Sequence, residues 1–124
     1  MMERKNLVFV YGTLRKTHGN HQLLEGSHFY GVGNTKEKYS IYLVGGYPYA
    51  ISTEPRYPIV GELYGVNDEI LKKLDKLEGH PIYYARNEVI VIVDNVEYTA
   101  WMYFRDPKGT LLQSGDYEDA VRGR

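Results

Sequence analysis

The apolar run Leu-Val-Phe-Val-Tyr at residues 7–11 constrains the fold of this chain more than any other stretch. Its residues are continuously apolar and do not alternate with polar ones, which is typical of a strand covered by protein on both faces. We therefore expect a central strand. Gly12 follows directly and lets the backbone turn without a Cβ clash, so that successive N–H groups can point at one carboxylate or oxyanion. Taken alone, a tight structural turn explains the same residues more simply.

Length and charge limit the classes of protein that fit. A chain of 124 residues predicts one domain, 1–124, with loose termini at 1–6 and 118–124. The balance of 15 basic against 16 acidic residues gives a net charge of −1, which provides no long-range attraction to nucleic acid or to a membrane surface. We therefore expect a small-molecule or protein partner and no nucleic-acid or membrane partner. The sequence leaves the oligomeric state open.

Two absences from the sequence narrow the chemistry and the location. The chain has no cysteine, which excludes disulfides, thiolate catalysis and cysteine-ligated metals. It also has no apolar signal segment and no run of membrane-spanning length, so we expect a cytoplasmic protein. His18 and His21 are spaced so that both could bind a metal, but no third ligand is near them, and we predict no metal site.

Thirteen tyrosines and 13 glycines indicate a strand-rich fold with many bends. Asp94 and Asn95 form a predicted two-residue hairpin turn, and Pro48 indicates an edge or a rim. Asn20 is the predicted cap of a short helix that ends before Gly26. The predicted strands are 7–11, 28–39, 40–44, 47–51, 59–66, 82–93 and 96–104.

Residues 68–78 form the clearest predicted helix. Asn67 or Asp68 serves as its N-cap, and apolar residues then recur with helical spacing. Glu78 lies four residues after Leu74 and therefore shares the apolar face, which directs a carboxyl group inward. The apolar positions are Ile70, Leu71, Leu74 and Leu77.

The predicted environment of Glu78 should make its carboxyl group more basic than usual. Burial and the negative end of the helix dipole both disfavour the charged form. Gly79 and Pro81 end the helix immediately afterwards. An alternative is that the helix frays before Glu78 and the side chain faces water, and the sequence does not choose between the two. Asp75 lies at the margin of the apolar face, where we expect a solvated or capping side chain.

Five segments together resemble the γ-glutamylcyclotransferase superfamily, and most closely its AIG2-like branch with the γ-glutamylamine cyclotransferases. They occur in the family's order: VFVYGTLRK at 8–16, GELYGV at 61–66, LDKLEG at 74–79, YAR at 84–86 and SGDY at 114–117. The resemblance implies an α+β fold, a small mixed β-barrel with about two packed helices and a cavity at the YGTL turn. It implies no cofactor and no metal.

The resemblance also implies an activity and the residues that perform it. A γ-glutamyl amine or a γ-glutamyl amino acid would be converted to 5-oxoproline and a free amine, with Glu78 as the catalytic acid and base. The backbone of Tyr11, Gly12, Thr13 and Leu14 would bind this small-molecule substrate. Further candidates for the pocket lining are Tyr84, Arg86 and Tyr117, although an arginine at a strand start is more often a structural ion-pair partner.

Two alternatives belong to other functional classes. The same pocket could bind a small carboxylate without turning it over. The tyrosine-rich surface could instead contact a protein partner, with the cavity unused. Glu78 facing bulk water, far from the backbone N–H groups of Tyr11 to Leu14, would favour the second alternative.

Overall fold

The computed structural model describes residues 6–12, 15, 21–44, 47–82, 84–105, 110–112 and 114–118. Most of the described elements are strands, with one α-helix and one short 3₁₀ helix, which confirms the predicted α+β class. In chain order they are β1 (Asn6–Val10), the 3₁₀ helix (His21–Leu24), β2 (His28–Val44), β3 (Tyr47–Ile51), β4 (Tyr57–Val66), α1 (Asp68–Glu78), β5 (Ala85–Val93), β6 (Val96–Phe104) and β7 (Thr110–Leu111).

Five of the strands close into a small mixed barrel, as the family resemblance implies. Strand β1 pairs antiparallel with β4, β4 with β2, β2 with β5 and β5 with β6. Strand β6 then returns parallel to β1 through the Val8–Trp101 pair, which completes the ring. Strand β3 lies beside the barrel, antiparallel to β2 and parallel to β6. The short strand β7 pairs with β2 and was not predicted.

Strand β1 is covered on both faces, as its continuous apolar run predicts. Phe9 points into the barrel core with Ile41 and Leu63. Val8 and Val10 point the other way and pack in a second cluster that includes Leu71 and Leu74 of α1. Full burial of such side chains stabilises the fold by about 1.5–3 kcal/mol each. The end of β1 is thereby held between the barrel and the helix.

Helix α1 begins and ends where its sequence predicts. The Asn67 side chain accepts a hydrogen bond from the backbone N–H of Ile70 at 2.8 Å. Gly79 adopts the left-handed conformation, with φ 67°, and its N–H group donates hydrogen bonds to the carbonyl oxygens of Asp75 and Lys76. The helix therefore extends through Glu78 and does not fray before it.

The buried face of α1 is rotated relative to the prediction. Leu71 and Leu74 are buried, but Leu77 is 44% exposed. Viewed down the helix axis, the centre of the buried face lies midway between Leu71 and Leu74. Successive residues are about 100° apart around this axis, so Leu77 lies about 90° from that centre and Glu78 lies close to it. The prediction that Leu77 faces inward is therefore wrong. The same rotation of the buried face places Glu78 nearer to its centre than the prediction did.

Several predicted strand boundaries differ from those observed, two of them substantially. Residues 28–39 and 40–44 were predicted as two strands but form the single strand β2. Irregularities between Phe29 and Gly31 and between Asn34 and Lys38 bend this strand without ending it. Strand β5 begins at Ala85 and not at Ile82, which is 83% exposed in the loop after α1.

The remaining short elements follow the sequence more closely. Asp94 and Asn95 have φ values of 49° and 66°, as a two-residue hairpin turn requires. The predicted helix near Leu24 is a 3₁₀ helix followed by Gly26 at φ 85°, and its predicted cap, Asn20, lies outside the described residues. No helix in the described part of the chain is both long and apolar enough to cross a membrane.

Candidate active site

A pocket opens where the end of β1, strand β3 and the end of α1 meet. Its volume is about 30 Å³, which is room for about two water molecules. It brings Glu78 together with Tyr11 and Gly12, three of the residues that the sequence singles out. The lining residues are Phe9, Val10, Tyr11, Gly12, Pro48, Glu78 and Tyr103.

Glu78 is the ionisable carboxyl group in this lining. It is the last residue of α1, and its side chain is partly buried. Burial raises the pKa of Glu78 to about 7 from its ordinary value of 4.5, because the protein replaces water that would hydrate the charged form. A carboxyl group with this pKa can accept and return a proton near neutral pH.

Tyr11 forms a fixed wall of the pocket. Its hydroxyl group donates a hydrogen bond to the carbonyl oxygen of Tyr103 at 2.8 Å and accepts one from the N–H of Ala50 at 2.8 Å. Burial raises the pKa of Tyr11 well above its ordinary value. The phenol thus links β6 to β3 and remains protonated, so we assign it a structural role in the wall.

Gly12 lets the end of β1 lie directly against strand β3. A Cβ atom at this position would be 2.5 Å from Cγ of Pro48, closer than real Cβ contacts. The carbonyl group of Gly12 accepts a hydrogen bond from the N–H of Arg15 at 3.0 Å. Thr13 and Leu14 lie outside the described residues, so the binding role of their N–H groups stays a prediction.

Asp75 anchors the last turn of α1 to the barrel. Arg86 contacts both of its carboxylate oxygens, at 2.9 and 3.3 Å, and the Tyr103 hydroxyl group donates to it at 2.6 Å. Burial alone would raise the pKa of Asp75, but the hydrogen bonds from Arg86 and Tyr103 outweigh it and lower this pKa. The prediction of a solvated or capping side chain at Asp75 is therefore wrong, because its carboxylate is bound by partners from β5 and β6.

The structure places the three further candidates outside the pocket lining. Arg86 is held by Asp75 and lies over the Trp101 ring, with its guanidinium carbon 4.3 Å from the ring centroid. The Tyr84 hydroxyl group donates to the carbonyl oxygen of Pro48 at 3.3 Å, and Pro48 itself lines the pocket. Tyr117 is buried in the C-terminal segment.

Sequence reasoning missed Tyr103 as a lining residue and missed the role of Arg15. Tyr103 is one of many tyrosines, and no local motif distinguishes it. Arg15 is only 7% exposed and forms ion pairs with Asp116 at 2.9 Å and Glu62 at 3.5 Å. A positive charge at position 15 suggests an acidic partner, but no local pattern identifies that partner because Glu62 and Asp116 are distant in sequence.

The described residues contain no group of three or more metal-binding side chains arranged around a common point. His18, one of the two histidines considered in the sequence analysis, lies outside the described residues. The pocket itself offers one carboxyl group and backbone, and this set is suited to proton transfer.

The hydrogen bonds of Asp75 with Arg86 and Tyr103 should contribute to the stability of the fold. Asp75→Asn should lower the free energy of unfolding by about 1–3 kcal/mol, because hydrogen bonds to a charged group are lost and Arg86 remains partly buried. Glu69→Gln on the same helix breaks an exposed pair with Lys73 and should cost at most about 0.5 kcal/mol. Urea unfolding of both variants measures the difference, and equal losses would contradict an anchoring role.

Comparison with known proteins relates this architecture to one family. Residues 8–119 match the sequence model of the family described as "Gamma-glutamyl cyclotransferase, AIG2-like". The chain is 50% identical over 115 residues to the "Putative gamma-glutamylcyclotransferase" of Methanocaldococcus jannaschii, and the match covers 90% of this chain and 95% of that protein.

A mammalian relative and a solved structure agree with this match. The chain is 35% identical over 97 residues to the gamma-glutamylaminecyclotransferase of Bos taurus, which covers 72% of this chain and 58% of that protein. The crystal structure of an AIG2-like protein from Mus musculus superposes with a TM-score of 0.78 at 25% identity, over 86% of this chain and 81% of that one.

Proposed function

Since this chain belongs to the AIG2-like γ-glutamyl cyclotransferase family, we propose that it converts a γ-glutamyl compound to 5-oxoproline and a free amine. The observation that carries the proposal is the pocket in which the Glu78 carboxyl group, with a pKa of about 7, meets the end of β1 at Tyr11 and Gly12. This placement disfavours the alternative of a protein-interaction domain, which predicts Glu78 in bulk water.

The proposed reaction is intramolecular. The α-amine of the glutamyl group attacks its own γ-amide carbonyl carbon, a new C–N bond closes the five-membered ring, and the C–N bond to the leaving amine breaks. No external nucleophile is needed. Effective molarities of well-oriented intramolecular reactions reach about 10⁵ M or more. A pocket that holds the glutamyl chain folded therefore supplies much of the acceleration.

Glu78 would serve as base and then as acid. As a carboxylate it accepts a proton from the α-ammonium group or the attacking amine, and as a carboxylic acid it returns this proton to the leaving nitrogen. Such assistance is typically worth about 10²- to 10⁴-fold. The pKa of about 7 supports both steps, because the carboxyl group is readily ionised and readily protonated near neutral pH.

The turn after β1 would supply the hydrogen-bond donors. Its backbone N–H groups are suited either to the oxyanion that forms on the γ-carbonyl oxygen or to the α-carboxylate of the substrate. The cavity volume of about 30 Å³ is much smaller than a γ-glutamyl compound. In this proposal the reacting end of the substrate lies inside the cavity, and the leaving amine extends beyond its mouth.

A substrate panel tests the proposed function. The purified protein is incubated with γ-glutamyl amino acids and γ-glutamyl amines, and 5-oxoproline is quantified by mass spectrometry. Release of 5-oxoproline from at least one compound is expected. Cyclisation of none of them would overturn the proposal, and stable binding without turnover would favour a small-carboxylate-binding protein.

The pH dependence of kcat/KM is the second prediction of this proposal. Because the carboxylate form of Glu78 accepts the proton, kcat/KM should rise with pH and level off above an apparent pKa of about 7. We expect this limb in assays from about pH 5 to about pH 9. A profile that is already flat from about pH 5 upwards, as a carboxyl group with the ordinary pKa of 4.5 would give, would contradict control of the rate by a carboxyl group of raised pKa.

A further inference from the structure

Arg105 is a second charged residue beside the pocket, and the proposed chemistry does not use it. It directly follows β6, and its N–H group donates to the carbonyl oxygen of Ala50 at 3.0 Å, which fixes its backbone against β3. Its guanidinium carbon lies 5.2 Å from the ring centroid of Tyr49 and 5.4 Å from that of Tyr84. Two aromatic rings thus hold this partly buried cation in place.

The Arg105 side chain lies on the pocket side of the barrel. Tyr103, two residues earlier, lines the pocket, and side chains two apart along extended chain point to the same face. Tyr84, which contacts Arg105, is hydrogen-bonded to Pro48 in the pocket wall. Burial raises the pKa of Tyr84 to about 12, the negative charge of Glu78 adds to this effect, and the positive charge of Arg105 opposes it. The same phenol therefore lies within the fields of both charged residues.

Arg105 differs from the other described arginines in its partners. Arg15, Arg56 and Arg86 each form an ion pair with a carboxylate. Among the described residues no carboxylate pairs with Arg105. The guanidinium group has five N–H donors, more than one contact with the Tyr84 side chain can use, and its planar fork matches a carboxylate.

We propose that Arg105 binds the carboxylate of the leaving amino acid, so that the enzyme prefers γ-glutamyl amino acids over γ-glutamyl amines. This inference rests on the proposed function. The α-carboxylate of the glutamyl group is attached to the carbon that bears the attacking amine and must enter the cavity near Glu78. The leaving group lies outside the cavity, where Arg105 is partly exposed, and its carboxylate is the anion that Arg105 can reach.

A matched pair of substrates tests the assignment. γ-Glutamylalanine and γ-glutamylethylamine differ only in the carboxylate of the leaving group. The wild-type protein should show a kcat/KM about 10- to 100-fold higher for γ-glutamylalanine, the range expected for a charge-assisted hydrogen bond. The difference should lie mainly in KM, since this contact is made equally in the ground state and in the transition state.

Variants of two arginines complete the experiment. Arg105→Gln should bring the ratio of the two kcat/KM values close to one, and Arg105→Lys, which keeps the charge but not the planar fork, should lower it part of the way. Arg56→Gln removes an arginine that is paired with Glu54 and should leave the ratio unchanged.

The outcomes separate this inference from the proposed function. No preference in the wild type, or an unchanged ratio in both Arg105 variants, would overturn the assignment of Arg105 while the cyclotransferase proposal stands. If Arg105→Gln does not fold, the kcat/KM ratios of the wild type and of Arg105→Lys for the two substrates still test the assignment. Failure of the wild type to cyclise either compound or any member of the wider panel would overturn both.

Discussion

Glu78→Gln is expected to abolish most of the activity while the protein remains folded. The amide has nearly the same shape as the carboxyl group but cannot accept the proton of the attacking amine. We expect kcat to fall by about 10²- to 10⁴-fold, the range for loss of a general acid and base. The measurement is 5-oxoproline release from the best substrate of the panel, with Glu69→Gln on the same helix as the matched control.

The stability of the same variant provides an independent check. The folded-state pKa of Glu78, about 7, lies above the ordinary value of 4.5 that we take for the unfolded chain. The stabilisation from the protonated form is fully present below about 4.5 and is lost as pH rises through about 7. Glutamine stays neutral at every pH, so at about pH 8 the variant should be at least as stable as the wild type.

These two measurements separate a catalytic role from a structural one. An inactive variant with an equal or higher melting temperature at alkaline pH supports the role of Glu78 as acid and base. A variant that keeps full activity would contradict that role. A variant that unfolds would instead place Glu78 among the residues that hold α1 on the barrel.

Arg15→Met is expected to have the largest effect on stability, a loss of about 3–5 kcal/mol. Arg15 is 7% exposed, and its partner Glu62 is 6% exposed. Removal of the guanidinium group leaves the Glu62 carboxylate buried, with its hydrogen bond from the Tyr64 hydroxyl group at 2.9 Å but without Arg15. Removal of one partner of a buried ion pair is costly because the remaining buried charge loses part of its compensation.

Two further variants show whether the buried charge causes this loss. The double variant Arg15→Met, Glu62→Gln should recover part of the free energy of unfolding, because the buried carboxylate that lost Arg15 is then neutral. Lys36→Met breaks an ion pair with Glu97 whose side chains are about half exposed, and it should cost at most about 1 kcal/mol. Urea unfolding measures all three, and similar losses for Arg15→Met and Lys36→Met would contradict the prediction.

The features that the sequence predicts well are those that local spacing encodes. The cap, expected at Asn67 or Asp68, and the stop at Gly79 follow from the chemistry of helix ends, and a repeat of 3.6 residues gives an inward Glu78 as one of two alternatives. The continuous apolar run in β1 predicts its burial on both faces in the same way. Resemblance to the family adds the barrel, which no local pattern specifies.

The features that it does not predict depend on partners that are distant along the chain. Asp75 was expected in solvent because its helix position is marginal, yet Arg86 and Tyr103 reach it from 11 and 28 residues away. Arg15 meets Asp116 across a separation of 101 residues. The periodicity of apolar residues predicts which face of a helix or strand is buried, but it does not predict which side chains of other elements pack against that face. The continuity of β2 through its bulges was missed for the same reason.

The Tyr11 hydroxyl group has an evolutionary consequence. By joining the Ala50 N–H to the Tyr103 carbonyl group, it holds β3 to β6 whether or not any reaction takes place. A descendant that had lost its chemistry would still be under selection to keep this tyrosine, whereas replacement of Glu78 would leave these two bonds intact. Across the relatives of this chain, we therefore expect the tyrosine at this position to be retained with the barrel and, under the proposed function, the glutamate at position 78 to be retained with the activity.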